Sequence, residues 1–544
     1  MASELWKSMN TIQHRMLSVL VDSAKKSNQN PLGFINSPVN SKRRNRPPIP
    51  LPHRTIPEPK GQDLDFVNVA HSHLTHSDWA NLESISSMLT PFRVKHVLLK
   101  TQKDYVLSLE FFNWVGLKAP KLQTLESRSI VLHVLTKHRK FKSAESILRK
   151  FLESCSLDVD LPAKLFDSLI YSYRMCDSSP RVFDSLFKTY AHMKKFRNAT
   201  DVFCSIREYG FLPTVESCNA YISSLMGLNR ADIALSFYRE MQRSKISPNV
   251  YTLNMVIGAF CKSGKLEKAI EVFKGMENKN LKPNVVSFNT LISGHCNSGL
   301  LSAAMKLKNT MERSGISPND VTFGTLIHVL CKEGKMNDAN KLFNEMKRIG
   351  VAPSVVTYNT LINGYSQAGK SEMGNQVYEE MWNKGIKADI LTYNALILGF
   401  CREGKTKKAA YLVKELDKAG LVPNSSTFSS LIIGQCVKKN SDRAFQLLKS
   451  MVRAGCHPNE YILSVLVSTF IKNDDYDGVM QVLKEMQMRS FTLDSVILTE
   501  IHDGLCKYGK EEEARKVFQE IEARGLMPKG FESFDQTRMN LWHM

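Results

Sequence analysis

From Pro180 to Lys529 the chain repeats itself every 35 residues, ten times over, without an inserted or deleted residue. VVSFNTLISGHCNSG from Val285, VVTYNTLINGYSQAG from Val355 and ILTYNALILGFCREG from Ile390 coincide column by column. Each block continues into a second apolar stretch and closes on a pair such as Pro318-Asn319. A strict period of this length predicts a solenoid, because so short a unit buries its apolar face only against its neighbours. The expected fold class is all-α, a tandem array of antiparallel helix pairs.

Counting each block from its first residue, the first helix is expected over columns 2–14. It should stop at a glycine column (Gly264, Gly299, Gly334, Gly369, Gly404, Gly509), where glycine takes the left-handed conformation that ends a helix. The second helix carries alanine in column 20 (Ala269, Ala304, Ala339, Ala409, Ala444, Ala514) and methionine in column 27 (Met276, Met311, Met346, Met381, Met451, Met486). These read as core: the small residues let helices approach, and methionine fills the gaps between layers. Six of the eleven cysteines (Cys261, Cys296, Cys331, Cys401, Cys436, Cys506) also share one column and read as small buried residues. There is no C-x-x-C pair, so neither a disulfide framework nor structural zinc is expected.

Outside the array, residues 1–60 carry ten Lys/Arg against three Asp/Glu, with a basic cluster at Lys42–Arg46 and a proline-rich stretch after it. Leu5, Trp6, Met9, Ile12, Met16 and Val19 would form one apolar helix face, so this segment is expected to be an organelle transit peptide followed by a disordered linker. The expected address is the mitochondrion, with a plastid as the alternative. Residues 61–179 read as an irregular helical cap with degenerate repeats, 180–529 as the ten repeats, and 530–544 as a tail. No apolar run reaches the ~18 residues that cross a bilayer, so no membrane insertion is expected. The net charge of +20 suggests a polyanionic partner.

Two phosphate-loop matches, Gly364–Ser371 and Gly399–Thr406, lie one period apart. That loop works only between a strand and a helix, where backbone N–H groups wrap a phosphate; here the first glycine falls inside a helix and the second ends it. No other catalytic motif is found, so no enzyme activity, cofactor or metal is expected.

Two columns resist a packing explanation. Column 5 holds Asp184, Asn219, Asn254, Asn289, Gly324, Asn359, Asn394, Ser429, Ser464 and Thr499, all small polar residues or glycine, which favour a helix interior least. Stacked helices would set them in a row facing a ligand groove, where amides and hydroxyls can hydrogen-bond base edges. The alternative is a buried network that ties helices together. Column 35 holds Thr214, Asn249, Asn284, Asn319, Ser354, Asp389, Asn424, Asn459, Asp494 and Lys529; nine of these ten suit a helix N-cap, so capping alone would explain them.

Blocks such as VVTYNTLINGYSQAGKSEMGNQVYEEMWNKGIKAD resemble pentatricopeptide repeats of the pure 35-residue P class of plant organelles. The resemblance implies a right-handed superhelix that binds single-stranded RNA, one base per repeat. Columns 5 and 35 match its base-selecting positions: Asn219 with Asn249, Asn254 with Asn284, Asn289 with Asn319, Asn359 with Asp389, Asn394 with Asn424, Ser429 with Asn459, and Ser464 with Asp494. Column 2, with Tyr251, Val286, Val321, Val356 and Leu391, would sandwich the bases. Column 13 adds Lys262, Lys332, Arg402, Lys472 and Lys507, periodic cations placed to track phosphates. The family's pairing tendencies imply a site 5′-N-Y-Y-Y-N-U-Y-A-G-N-3′, the repeats starting at 180, 320 and 495 being left open. The expected function is sequence-selective RNA binding by a monomer in transcript stabilisation, processing, splicing or translation, with recruited RNA-processing proteins. A protein-interaction scaffold is the competing reading.

Overall fold

The computed structural model describes residues 48–52, 57–154, 160–473, 475–489, 491 and 511–526, the side chains of 476, 511–515 and 517 excepted. Residues 1–47 of the expected leader, the tail, and the column residues Asp494, Thr499, Cys506, Lys507, Gly509 and Lys529 lie outside them, as does the Ala514 side chain. Among the described residues all regular structure is helical, and the expected all-α organisation of helix pairs is what is observed. The chain divides into two compact units, Met1–Gly294 and His295–Met544.

In the first unit, helices Gln62–Thr75, Trp79–Ser84, Pro91–Lys100, Tyr105–Lys118, Leu125–Lys137, Phe141–Ser154 and Leu161–Tyr173 precede the regular array. One apolar core runs from Phe66 through Phe183 and Phe187 to Ile246. Residues 48–52 lie within the span expected to be disordered linker, yet they are held against this unit. The Ile49 N–H donates to the Glu208 carbonyl at 2.8 Å, and Leu51 packs on the core. The apolar contact and the satisfied backbone group account for the difference.

Each regular repeat is a helix hairpin, such as Val250–Lys262 followed by Leu266–Lys274, or Val355–Gln367 by Ser371–Asn383. The first helix occupies columns 1–13, one residue earlier than expected, because column 35 of the preceding block is its N-cap. Its end is equally local. Ser263 is the C-cap, Gly264 follows at φ +69°, and the N–H groups of Gly264 and Lys265 donate to the carbonyls of Cys261 (3.1 Å) and Phe260 (2.9 Å). This 5→2 and 6→1 pair satisfies carbonyls the helix leaves open.

Within each unit, second helices pack on their own first helix, and first helices on the first helix of the next repeat, as Val355–Gln367 does on Ile390–Arg402. The alanines at 269, 304, 339, 409 and 444 and the column-27 methionines named above are fully buried. First helices meet closely through small residues: a Cβ on Gly364 would lie 2.8 Å from Cys331, and one on Gly399 2.6 Å from the Ser366 hydroxyl. These are the leading glycines of both phosphate-loop matches, and they are used for helix contact. Repeat three departs from the rule. Its second helix stops at Lys274 and a single turn, Glu277–Lys279, follows, so the 13-residue length seen in the other second helices of the array is not reached.

Candidate nucleic-acid interface

Column 35 does cap helices. Thr214, Asn249, Asn284, Asn319, Ser354, Asp389, Asn424 and Asn459 each accept, through a side-chain oxygen, the amide of the third residue of the following helix. Such a cap is worth about 1 kcal/mol and fixes the side chain's direction.

The same oxygen has a second task. The Asn219 amide Nδ2 donates to Asn249 Oδ1 at 3.2 Å, Asn254 to Asn284 at 3.3 Å, Asn359 to Asp389 at 3.0 Å and Asn394 to Asn424 at 3.1 Å. A hydroxyl in column 3 of the next repeat closes the triangle. Thr252, Ser287, Thr392 and Thr427 donate to Oδ1 of Asn219, Asn254, Asn359 and Asn394 at 2.6–2.7 Å. The amide orientation is thereby forced: Asp389 has no proton to offer when ionised, so Nδ2 of Asn359 must face it. Column 3 is the element that sequence reasoning missed. Its signal was present, a Ser or Thr at 217, 252, 287, 322, 357, 392 and 427.

The network corrects the picture of column 5 as an open row. Asn219, Asn254, Asn394 and Ser464 are buried, while Asn289, Asn359 and Ser429 are half-buried. Part of each pair still faces outward. In the Asn–Asn pairs, the column-35 Nδ2 takes no part in the triangle; in the Asn359–Asp389 pair, that place falls to a carboxylate oxygen. Asn249, Asn284 and Asn424 are exposed. Partial burial would push the Asp389 carboxyl up, but hydrogen bonds from the Thr392 backbone, Asn359 and the Thr392 hydroxyl hold it below its ordinary value. It is an acceptor at neutral pH.

Repeats one and eight differ in kind. Asp184 Oδ1 accepts the Thr214 amide at 2.8 Å and the Ser217 hydroxyl at 2.6 Å, and burial outweighs these bonds to raise its pKa. Ser429 turns its hydroxyl back to the Ser425 carbonyl at 2.7 Å, and Ile462 stands where the column-3 hydroxyl would be. Asn319 is exposed and caps Asp320–Lys332.

Exposed apolar and charged residues share the first helices with these side chains. Tyr251, Val286, Val321, Val356 and Leu391 are 56–72% exposed, and Tyr461 in the same column is 59% exposed. Eleven residues turn a helix through about 1,100°, so column 13 lies within about 20° of column 2, roughly 16 Å along the axis. Lys262, Lys332, Arg402 and Lys472 are exposed there. Lys262 reaches the Asn229 side-chain oxygen at 3.0 Å, and among the described residues none of the four is in an ion pair. Second-helix cations, by contrast, are paired across repeats, as in Arg207–Glu240 (2.6 Å), Lys308–Glu345 (2.6 Å) and Lys347–Glu380 (3.1 Å). Uncompensated positive charge thus stands at the ends of first helices. Among the described residues no cluster of His, Cys, Asp and Glu is arranged to hold a metal, and no helix is long and apolar enough to cross a membrane.

Profiles of this repeat match the chain. That of the PPR repeat family matches residues 283–332, 321–359, 353–402 and 388–437; that of the pentatricopeptide repeat domain matches 236–297; and that of the PPR repeat matches 216–246, 426–456, 461–491 and 497–526. Together they span more than half of the chain. In Arabidopsis thaliana, the mitochondrial pentatricopeptide repeat-containing protein At4g26680 is 70% identical over 200 residues, 37% of this chain and 38% of that protein. The mitochondrial pentatricopeptide repeat-containing protein At1g05670 is 34% identical over 210 residues, 37% of this chain and 28% of that one. The chain therefore spans well under half the length of these relatives. Among solved structures, the pentatricopeptide repeat protein PPR10 in complex with an 18-nt psaJ RNA element aligns over 85% of this chain and 75% of its own, at 19% identity and TM-score 0.38. With its 35-residue helix hairpins and these profile matches, the chain belongs to the pentatricopeptide-repeat family.

Proposed function

We propose that this protein binds single-stranded RNA, one base per repeat, as a P-class member of its family. The observation that carries the reading is the triangle of columns 5, 35 and 3, which in repeats two, three, six and seven holds two side chains rigid and leaves one polar edge outside its hydrogen bonds. In the Asn–Asn repeats that edge offers N–H donors alone. Cytosine presents two adjacent acceptors, O2 and N3, on the edge that unpaired RNA leaves open. Where Asp389 replaces the second Asn, a carboxylate oxygen faces the base instead, and uracil supplies the matching N3–H beside its carbonyls. Pyrimidines at the Asn repeats, with uracil at repeat six, are the family tendency, and this hydrogen-bond polarity agrees with it. Ser429 with Asn459 takes adenine and Ser464 with Asp494 takes guanine by the family tendency.

The exposed column-2 side chains would cover the base faces, and the unpaired cations Lys262, Lys332, Arg402 and Lys472 would follow the phosphates, with Lys507 continuing their column. The mechanism is steric: RNA held unpaired is shielded from nucleases or opened to other factors, with no chemistry performed by the chain and processing proteins recruited where needed. The mitochondrial relatives and the basic leader support a mitochondrial address. The irregular helices of residues 61–179 serve as the cap of the array, and the protein acts as a monomer.

The test is a titration of the full chain with the ten-nucleotide site, as single strand, as duplex and scrambled. Preference for the unscrambled single strand is expected. Equal affinity for all three overturns the reading.

A further inference from the structure

Repeat five lacks a column-5 side chain, because Gly324 stands there. The hydroxyl that would bond it, on Thr357 in column 3 of the next repeat, is nevertheless satisfied. It donates at 2.7 Å to Oδ1 of Asp320, which also receives the Ser354 amide at 3.4 Å. The arrangement matches repeat one, where Oδ1 of Asp184, a true column-5 residue, takes the column-3 hydroxyl of Ser217 and the column-35 amide of Thr214. Asp320 is four residues before Gly324 and so shares its helix face. A Cβ on Gly324 would find only the Thr357 hydroxyl within 4 Å, at 3.5 Å, so the space beside the carboxylate is open.

We infer that Asp320 is the base-selecting residue of repeat five and that this repeat takes guanine. The inference rests on the RNA-binding reading above. With Oδ1 held by Thr357 and Ser354, Oδ2 is the acceptor left to a base. Guanine presents two donors side by side, N1–H and the N2 amino group; adenine and cytosine place an acceptor nitrogen next to their single amino group, and uracil offers one N–H between two carbonyls. The room left by Gly324 suits a purine. The position that family pairing leaves open is thereby assigned, and the site becomes 5′-N-Y-Y-Y-G-U-Y-A-G-N-3′.

Two measurements on the full chain decide it. Four RNAs differing only in their fifth base are titrated against wild type and Asp320→Asn, with RNAs differing only in the sixth base as an internal control. Wild type should favour guanine at position five by about fivefold or more, and Asp320→Asn should erase that preference while keeping uracil at position six. A flat or different preference at position five, with position six still selective, overturns the assignment and leaves RNA binding standing. Loss of selectivity at both positions in wild type overturns the base-reading account as a whole. Independently of RNA, melting temperatures of Asp320→Ala, Thr357→Val and the double variant should show losses that are less than additive. Additive losses would mean that the two side chains do not share a node, and would also overturn the inference.

Discussion

Replacing Thr252 by valine removes one hydroxyl and leaves the shape of the side chain nearly unchanged. In the structure that hydroxyl donates to Asn219 Oδ1 at 2.7 Å and accepts the Asn249 N–H at 3.2 Å. Thr252 is fully buried and Asn219 is 5% exposed, so water cannot easily replace the donor. A buried acceptor left without its partner costs about 1–3 kcal/mol. The Asn249 N–H lies near the surface and costs less, so Thr252→Val should destabilise the folded chain by roughly 2 kcal/mol. Thr252→Ser keeps the hydroxyl and loses one methyl, about 1 kcal/mol or less; Ser287 already does this work at 2.6 Å one repeat later. The chain contains its own control. Where Ile462 replaces the hydroxyl, the preceding column-5 residue is Ser429, which satisfies itself on the Ser425 carbonyl. In an Asn219→Ser background, Thr252→Val should therefore cost at least about 1 kcal/mol less than in wild type. Urea denaturation followed by circular dichroism gives all four corners of the cycle. If valine costs no more than serine, or the cycle closes without coupling, the triangle does not hold column 5 in place.

Further outcomes follow from other parts of the fold. Gly364→Ala places a methyl 2.8 Å from Cys331 and should cost about 1–3 kcal/mol in denaturant stability, read from urea melts of the two chains. His133 is buried, with Nε2 3.0 Å from the Leu169 carbonyl and Nδ1 2.6 Å from the Ser178 hydroxyl, and burial pushes its pKa down to about 4. The unfolded chain therefore binds the proton first, and stability should fall as pH drops from about 6.5 toward 4, less so in His133→Gln, when melting curves at pH 7 and pH 5 are compared. Changing Lys262, Lys332, Arg402 and Lys472 together to alanine should weaken all RNA sequences alike. It should also flatten the salt dependence by about 0.7 log units per lost phosphate contact, measured by titration at several ionic strengths.

The regular part of this fold is legible in the sequence because each feature is local. The glycine column, the buried alanines and methionines, and the all-α period depend on contacts within a repeat or with its neighbour. The helix starts one residue before the expected column 2, because the column-35 cap of the preceding block leads directly into column 1. What sequence could not supply was direction. Column 5 reads as polar and therefore outward, but Asn219, Asn254 and Asn394 are buried because two partners 30 and 33 residues away satisfy them. The serine or threonine in column 3 passes for an ordinary first-turn residue until its hydroxyl is seen bridging repeats. Asp320 was invisible for the same reason: a one-column substitution becomes meaningful only when the Thr357 hydroxyl is found pointing at it. Residues 48–52 carry no periodic pattern, and their attachment to Glu208 depends on a backbone contact that composition does not encode.

The central claim, that hydrogen-bond polarity at columns 5 and 35 chooses the base, is met most directly by Asp389→Asn. The substitution keeps the oxygen that accepts from Asn359 and Thr392 and exchanges the outer carboxylate oxygen for an amide donor, as in the native Asn394–Asn424 pair. Wild type and variant are titrated with two RNAs that differ only in uracil or cytosine at the sixth position. Discrimination by one well-made contact is worth about 1–3 kcal/mol, or roughly five- to hundredfold in affinity. The account predicts uracil preferred by wild type and cytosine by the variant, with the other positions unmoved. A folded variant that keeps the wild-type uracil-to-cytosine ratio would contradict it, and would leave columns 5 and 35 as a capping network alone.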